Sequence, residues 1–219
     1  MNFSKEPGQT VSFKIPSVMP VFPLPNVLLF PGVELPLYIF EPRYREMLKD
    51  CLSGRKFIAI SLLKQGWETE SEPAPSYDTV GVGYVRAVVE NPDGTFHVLL
   101  KGLGRAKIVR YLKMEPYRVA KVKPLQDEIQ DAQELSRLAS RVRRLLVQKI
   151  RFVSENPHAR LKLPKEFKNP VSLSYIASFL SEANPYLKQS LLETTNTHSR
   201  LKHLVGLLGK EIYPPSSRN

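Results

Sequence analysis

Prolines interrupt the apolar run between residues 20 and 44 too often for a helix to form there. Proline lacks the backbone N–H that a helix requires, and it pushes the preceding residue toward the β region. After a Pro31-Gly32 turn, residues 35–40 alternate in a way that predicts a strand ending at Glu41-Pro42. The whole run therefore predicts short extended segments, which are broken at Pro20, Pro23, Pro25, Pro31 and Pro36.

Downstream of this run the spacing of apolar residues first becomes helical, from Arg43 to Leu52, and then typical of strands. The motif Asn91-Pro-Asp-Gly94 separates two alternating runs, which predicts a hairpin turn. Short strands joined by brief loops favour an antiparallel closed or half-closed barrel. The predicted strands cover residues 57–63, 80–89, 95–100, 106–112 and 117–122.

The pattern changes again beyond Pro124. Acidic residues from Asp127 onward predict a helix start, and apolar residues then recur at helical spacing as far as Ile150. Further helices are predicted at residues 172–180, 185–193 and 200–210. We therefore expect an α+β chain that comprises a leader (1–17), a β-barrel lobe with a short helix (18–124), a helical bundle (125–212) and a tail (213–219).

The sequence PVFPLPNVLLFPGVELPLYIFEPRYREML closely resembles the opening of the Lon protease N-terminal domain as it occurs in small stand-alone proteins. The resemblance extends from about Val18 to Ile212, and it implies a β-barrel lobe related to the PUA domain followed by helices. Further matching stretches lie at residues 81–85, 101–105, 115–120, 188–193 and 200–201.

In full-length Lon this domain precedes an ATPase module and a protease module, helps to capture substrates and contributes to assembly. The resemblance thus implies a non-catalytic module that recognises unfolded or extended polypeptide, or a protein partner, without ATPase or protease modules. A groove or patch of apolar and aromatic side chains would supply the binding surface. Candidate binding residues are Trp67 and Tyr77, in a long surface loop, and Phe96, beside the hairpin turn. For each of the three, packing onto its own lobe is favoured over binding.

A net charge of +11 and a pI near 9.7 make a polyanionic partner a second possibility. Between residues 135 and 170, ten Lys and Arg stand against two Glu, an excess of eight positive charges. Helical spacing places Arg137, Arg141 and Arg144 in one stripe, and Arg160, Lys162 and Lys165 follow in a predicted loop. The alternative function is therefore RNA or DNA binding by residues 135–170. A solvated helix face explains the same charges, and aromatics for base stacking are scarce there.

The sequence favours no catalytic, cofactor or metal site. It contains no G-x-x-x-x-G-K-[ST] string, and the pairs Gly81/Gly83 and Gly102/Gly104 predict bulges or tight strand bends. The four histidines are scattered, and Cys51 falls in the apolar pattern of the first helix, which favours burial. Because signal and membrane segments are also lacking, we expect a cytoplasmic protein without a membrane partner. The oligomeric state stays open.

Overall fold

The computed structural model describes residues 14–69, 73–152 and 164–213, and within them the chain forms six strands and five α-helices. The first part contains β1 (Val18–Leu24), β2 (Glu34–Ile39), α1 (Pro42–Ser53), β3 (Phe57–Leu62), β4 (Thr79–Glu90), β5 (Phe96–Lys113) and β6 (Arg118–Pro124). The second part contains α2 (Ala132–Phe152), α3 (Pro170–Leu180), α4 (Pro185–Glu193) and α5 (Thr197–Ile212). The α+β class is as predicted. None of the helices in these ranges is both long and apolar enough to span a membrane.

The strands form one sheet in the order β2-β5-β4-β3-β1-β6, and β6 also pairs with β5. Strands β5, β4, β3, β1 and β6 are therefore connected in a ring, to which β2 is attached through β5. Strands β1 and β3 run parallel, with Val21 opposite Ala59, while every other pair is antiparallel. The prediction of a purely antiparallel sheet is thus wrong. The long connection through β2 and α1 brings the chain back in the same direction, as a parallel pair requires.

The predicted hairpin joins β4 and β5. Asn91 N–H donates to the Thr95 carbonyl at 2.9 Å, and Gly94 has a positive φ of 77°. The two strands predicted at residues 95–100 and 106–112 are one continuous strand, β5. The glycines between them coincide with a register shift against β4 at Val82/Gly83. The pairing of β4 with β5 is therefore irregular there, but it continues on both sides.

Strand glycines also let another part of the backbone cross the sheet at short range. A Cβ at Gly81 would lie 1.9 Å from the Leu29 carbonyl oxygen, and one at Gly102 would lie 2.1 Å from that of Phe30. The residues Leu29 and Phe30 are themselves fully buried. These glycines therefore hold the apolar segment after β1 against the sheet, a role beyond the predicted bulges.

Asparagine side chains cap the starts of α3, α4 and α5. Asn169, Asn184 and Asn196 each accept a backbone N–H from the first turn of the following helix. Helix α2 begins at Ala132, not near Asp127 as predicted, because the Asp131 carboxylate accepts the N–H groups of Gln133 and Glu134. These hydrogen bonds lower the pKa of Asp131.

Each part of the chain has its own apolar core. Helix α1 packs Tyr44, Met47, Leu48 and Cys51 into a cluster with residues of β1, β3 and β5. In the second part, α2, α3, α4 and α5 surround a cluster that includes Leu146, Leu191 and Leu204. A further cluster crosses between the parts, and it includes Phe30, Leu62, Tyr175 and Leu192.

A buried polar network reinforces this junction. Asp127 accepts hydrogen bonds from Arg105 at 2.9 Å, from Arg200 at 2.6 Å and from the Tyr175 hydroxyl at 2.8 Å. Arg105 and Arg200 both also donate to the Thr194 carbonyl, at 2.7 and 2.6 Å. Burial lowers the pKa of Arg105, and it raises the pKa of Tyr175, which stays a neutral donor. The network joins β5, the segment before α2 and helices α3 and α5.

Candidate functional site

A groove of 410 Å³ lies where the end of β1, the junction of β2 with α1 and the β5–β6 connection meet. It is lined mainly by apolar and aromatic side chains. The lining comprises residues 22–25, 38–41 and 114–118 together with Arg43, Tyr44, Leu63, Trp67, Pro73 and Ala74.

The base of the groove is built from buried rings. Phe22 of β1 and Tyr44 of α1 lie with ring centroids 4.3 Å apart, and both are less than a tenth exposed. The Tyr117 hydroxyl donates to the Asp50 carboxylate. Burial together with this neighbouring carboxylate raises the pKa of Tyr117 to about 12, so the phenol stays neutral. These three rings therefore give the base a mainly aromatic surface, beside the buried Arg118.

Large apolar side chains at the rim are exposed. Tyr38 is 49% exposed, Phe40 59% and Met114 37%, while Trp67 is half-buried at the start of a short 3₁₀ turn. Tyr38 and Phe40 stack with ring centroids 5.9 Å apart, and the residue between them, Ile39, is buried. The alternation of β2 thus places two aromatic rings at the rim, and Pro42 then starts α1.

Two arginines of the groove lining have partners within the protein. The buried Arg118 donates to the Ala74 carbonyl at 2.6 Å and to the Ser76 hydroxyl at 3.2 Å, which fixes the loop that forms one wall. Arg43 pairs with Glu41 at 3.0 Å. What the groove offers to a ligand is mainly apolar area and aromatic faces, which suit apolar side chains of an extended segment.

The one cysteine is buried in the core of the sheet part. The Cys51 thiol lies under α1, 3.5 Å from the Phe57 carbonyl, and burial raises its pKa to about 12. A thiol with this pKa is protonated and a poor nucleophile. No group of three His, Cys, Asp or Glu that could hold a metal ion occurs among the described residues.

The three polypeptide-binding candidates are not brought together. Trp67 lines the groove. Tyr77 is half-buried and packs against the cluster of Leu28, Phe30 and Tyr175. Phe96 is only 2% exposed, so its selection as a binding residue is corrected: as the first residue of β5 it points into the core with Val98 and Leu100.

Sequence reasoning missed Tyr38, Phe40 and Met114 as site residues. A signal for the first two was present, since they alternate with the more buried Leu37 and Ile39, Tyr38 within β2 and Phe40 directly after it. Met114 follows β5 without a pattern of its own, and only the fold brings it beside β2.

The arginines predicted to form a stripe do so. Arg137, Arg141 and Arg144 are exposed on α2, and Lys165 is exposed in a short 3₁₀ helix, Lys165–Lys168. Arg160 and Lys162 lie outside the described residues. The stripe is on the helical part of the chain, whereas the groove is on the sheet.

Known proteins similar to this chain are Lon proteases and their N-terminal domains. The Lon protease of Dictyoglomus thermophilum is 26% identical over 90% of this chain and 25% of its own length, and that of Azospirillum brasilense is 29% identical over 91% and 25%. The chain therefore spans about a quarter of the length of these relatives.

Solved structures share the fold. A Lon N-terminal domain protein from Xanthomonas campestris matches with a TM-score of 0.63 at 20% identity, covering 86% of this chain and 97% of that one. The N-terminal domain of Mycobacterium avium complex Lon protease matches with a TM-score of 0.67 at 16% identity, covering 88% and 98%. The family model of the ATP-dependent protease La (LON) substrate-binding domain matches residues 18–210. This chain belongs to that family.

Proposed function

We propose that the chain is a non-catalytic recognition module that binds unfolded or extended polypeptide segments in the groove. The observation that carries this proposal is the group of large exposed side chains at one rim, Tyr38, Phe40 and Met114, above the buried rings of the base. Exposed apolar groups gathered in a concave site are typical of a binding surface. The family's description as a substrate-binding domain agrees with a ligand that is itself a protein.

Edge strand β2 supplies a second means of binding. It pairs with β5 on one side and, within the described residues, with no strand on the other. An extended segment beside residues 37–40 can pair with its backbone while its side chains enter the groove. Pro36 lacks an N–H and so limits pairing further along the strand. Backbone pairing and apolar burial together select a ligand for its extended conformation more than for its amino-acid sequence.

In this proposal, binding in the groove needs no bound nucleotide and no catalytic group of these residues. The 219 residues contain no phosphate-binding loop string. The buried Cys51 thiol, with its raised pKa, does not serve as a nucleophile. We further infer that the ring of five strands is the barrel-like lobe and that α2 to α5 form the helical bundle expected from the sequence.

Replacing the most exposed aromatic of the rim tests the groove directly. Phe40→Ala removes a 59% exposed ring, and we expect it to weaken binding of a labelled, permanently unfolded polypeptide about 5- to 30-fold, as for an interface anchor. Fluorescence anisotropy measures the affinity.

The matched control is Phe179→Ala on α3. It removes an aromatic ring that is 39% exposed and does not line the groove. It should leave the affinity unchanged. Equal affinities of the Phe40→Ala variant and the unchanged protein would exclude the rim from the binding site.

A further inference from the structure

We propose that a stripe of arginines on α2 binds the phosphate backbone of a nucleic acid, RNA or DNA, without reading its sequence. The arginine stripe comprises Arg137, Arg141, Arg144 and Arg151 with Gln148 between them, all exposed. At 3.6 residues per turn, these five side chains fall within an arc of about 80°. The opposite face of α2 is buried in the core, through Leu135, Ala139, Val142 and Leu146.

Internal contacts leave the stripe arginines available to an external anion. Two other bases of α2 are engaged: Arg143 donates to the Phe167 carbonyl at 2.8 Å, and Lys149 pairs with Glu182 at 3.0 Å and with Glu211. Among the described residues, no stripe arginine has a carboxylate within ion-pair distance.

Nearby carboxylates are few. No Asp or Glu occurs between residues 135 and 152. Glu134, one turn before the stripe, pairs with Lys202 at 3.2 Å. Asp131 caps α2, and Arg137 contributes to lowering its pKa. Among the described residues, most of the stripe therefore carries positive charge without local compensation, which favours a polyanion.

The geometry suits a row of phosphates. A helix rises 1.5 Å per residue, so Arg137 and Arg151 are about 21 Å apart along the axis. That length corresponds to about six nucleotide steps of one strand in a duplex at 3.4 Å each. Arginine binds phosphate oxygens through two parallel N–H donors. Its long, flexible side chain can make up for the difference between the spacing of the arginines and the spacing of the phosphates.

The side chains around the arginines favour a nucleic acid over an acidic protein or a membrane. Ser136, Ser140 and Gln148 are exposed polar residues that can donate to phosphate oxygens. A protein interface needs an apolar centre, which the stripe lacks, and the apolar face of α2 is not free to enter a bilayer. Phe152 ends the helix 87% exposed, where its ring can stack on a base.

A charge-matched pair of variants tests this proposal. The stripe variant carries Arg137→Gln, Arg141→Gln and Arg144→Gln. The sheet variant carries Lys107→Gln, Lys121→Gln and Lys123→Gln, which removes the same charge from exposed positions of β5 and β6. Anisotropy of a labelled 20-nucleotide RNA and a 20-base-pair DNA duplex is measured between 50 and 200 mM salt, with circular dichroism to verify folding.

The stripe variant should flatten the slope of log affinity against log salt by about 2 to 3, one unit for each lost phosphate contact. For the duplex, the ratio of affinities at 50 and 200 mM salt then falls about 40-fold. The sheet variant should stay within about threefold of the unchanged protein, because its three lysines lie on β5 and β6 and make no contact with a phosphate bound along α2.

Three results would overturn the proposal. One is an equal loss in both variants, which would mean that only net charge matters. Another is no binding of either nucleic acid at 50 mM salt. The third is competition by poly-glutamate of equal charge as strong as that by RNA, which would indicate an acidic protein partner. Polypeptide binding by the stripe variant should be unaffected, so this test is independent of the groove.

Discussion

At the scale of single residues, glycine is required where the backbone of Leu29 and Phe30 crosses the sheet. Gly81 and Gly102 lie under these two carbonyl groups, at positions where no side chain fits. The sequence predicted irregular strands at both glycine pairs, and the register shift in β4 agrees. It did not predict the crossing segment, because that contact joins residues some fifty to seventy positions apart and leaves no local pattern.

Gly102→Ala should destabilise the fold by about 2–3 kcal/mol or prevent folding, because overpacking against backbone cannot be relieved by a side-chain rotation. The matched control is Gly206→Ala in the middle of α5, where an added Cβ meets nothing within 4 Å. Alanine there should stabilise the protein by up to about 1 kcal/mol through its higher helix propensity. Urea unfolding measures both, and similar stabilities would contradict the account of the crossing.

The site residues illustrate the same limit on prediction. Trp67 was found because it stands in a polar loop, and it does line the groove. Phe96 was a candidate because it lies beside a turn, and its burial with Val98 and Leu100 agrees with the packing onto its own lobe that the sequence favoured. Which face of a strand is buried depends on how other strands and helices pack against it. In the local sequence, only the alternation of apolar residues indicates that face.

At the scale of elements, the link between sheet and helices is a buried cluster of two arginines and one carboxylate. Arg105 and Arg200 are at most 1% exposed, and both bind Asp127. Both guanidinium groups also lie over the Tyr175 ring, at 5.5 and 4.2 Å from its centroid. The helices were predicted well from apolar spacing, but this network was not, since its members come from four separate segments.

Replacements in this network should have unequal effects. Asp127→Asn leaves two buried cations without a counter-charge and should cost about 3–5 kcal/mol of unfolding free energy. Arg200→Met leaves the Arg105–Asp127 pair balanced but removes hydrogen bonds to Thr194 and Ser174, so it should cost less, about 1–3 kcal/mol.

Lys202→Met is the control for these two replacements, because it breaks an exposed ion pair on the same helix and should cost under about 1 kcal/mol. Urea unfolding followed by circular dichroism gives all three values. If Asp127→Asn is no more destabilising than Lys202→Met, the cluster does not hold the two parts together.

At the scale of the whole molecule, the two proposed binding surfaces belong to different parts of one chain. The groove lies among β1, β2 and the β5–β6 connection, and the arginine stripe follows α2. The family resemblance in the sequence predicted the α+β class and the order of sheet and helices, and the comparisons confirm the family. The sequence could not predict the groove, because its walls come from five separated segments that only the closed ring of strands brings together.

The most direct test of the central claim uses Trp67, the only tryptophan of the chain, as a reporter within the groove. A labelled, permanently unfolded polypeptide without tryptophan is titrated with the protein to record label anisotropy, and the protein is titrated with the same polypeptide to record Trp67 emission. We expect both signals to saturate with one dissociation constant and to persist at near-physiological salt, because binding is mainly apolar. Saturation of the anisotropy with unchanged Trp67 emission, or no change in anisotropy at all, would contradict the claim that the groove captures polypeptide.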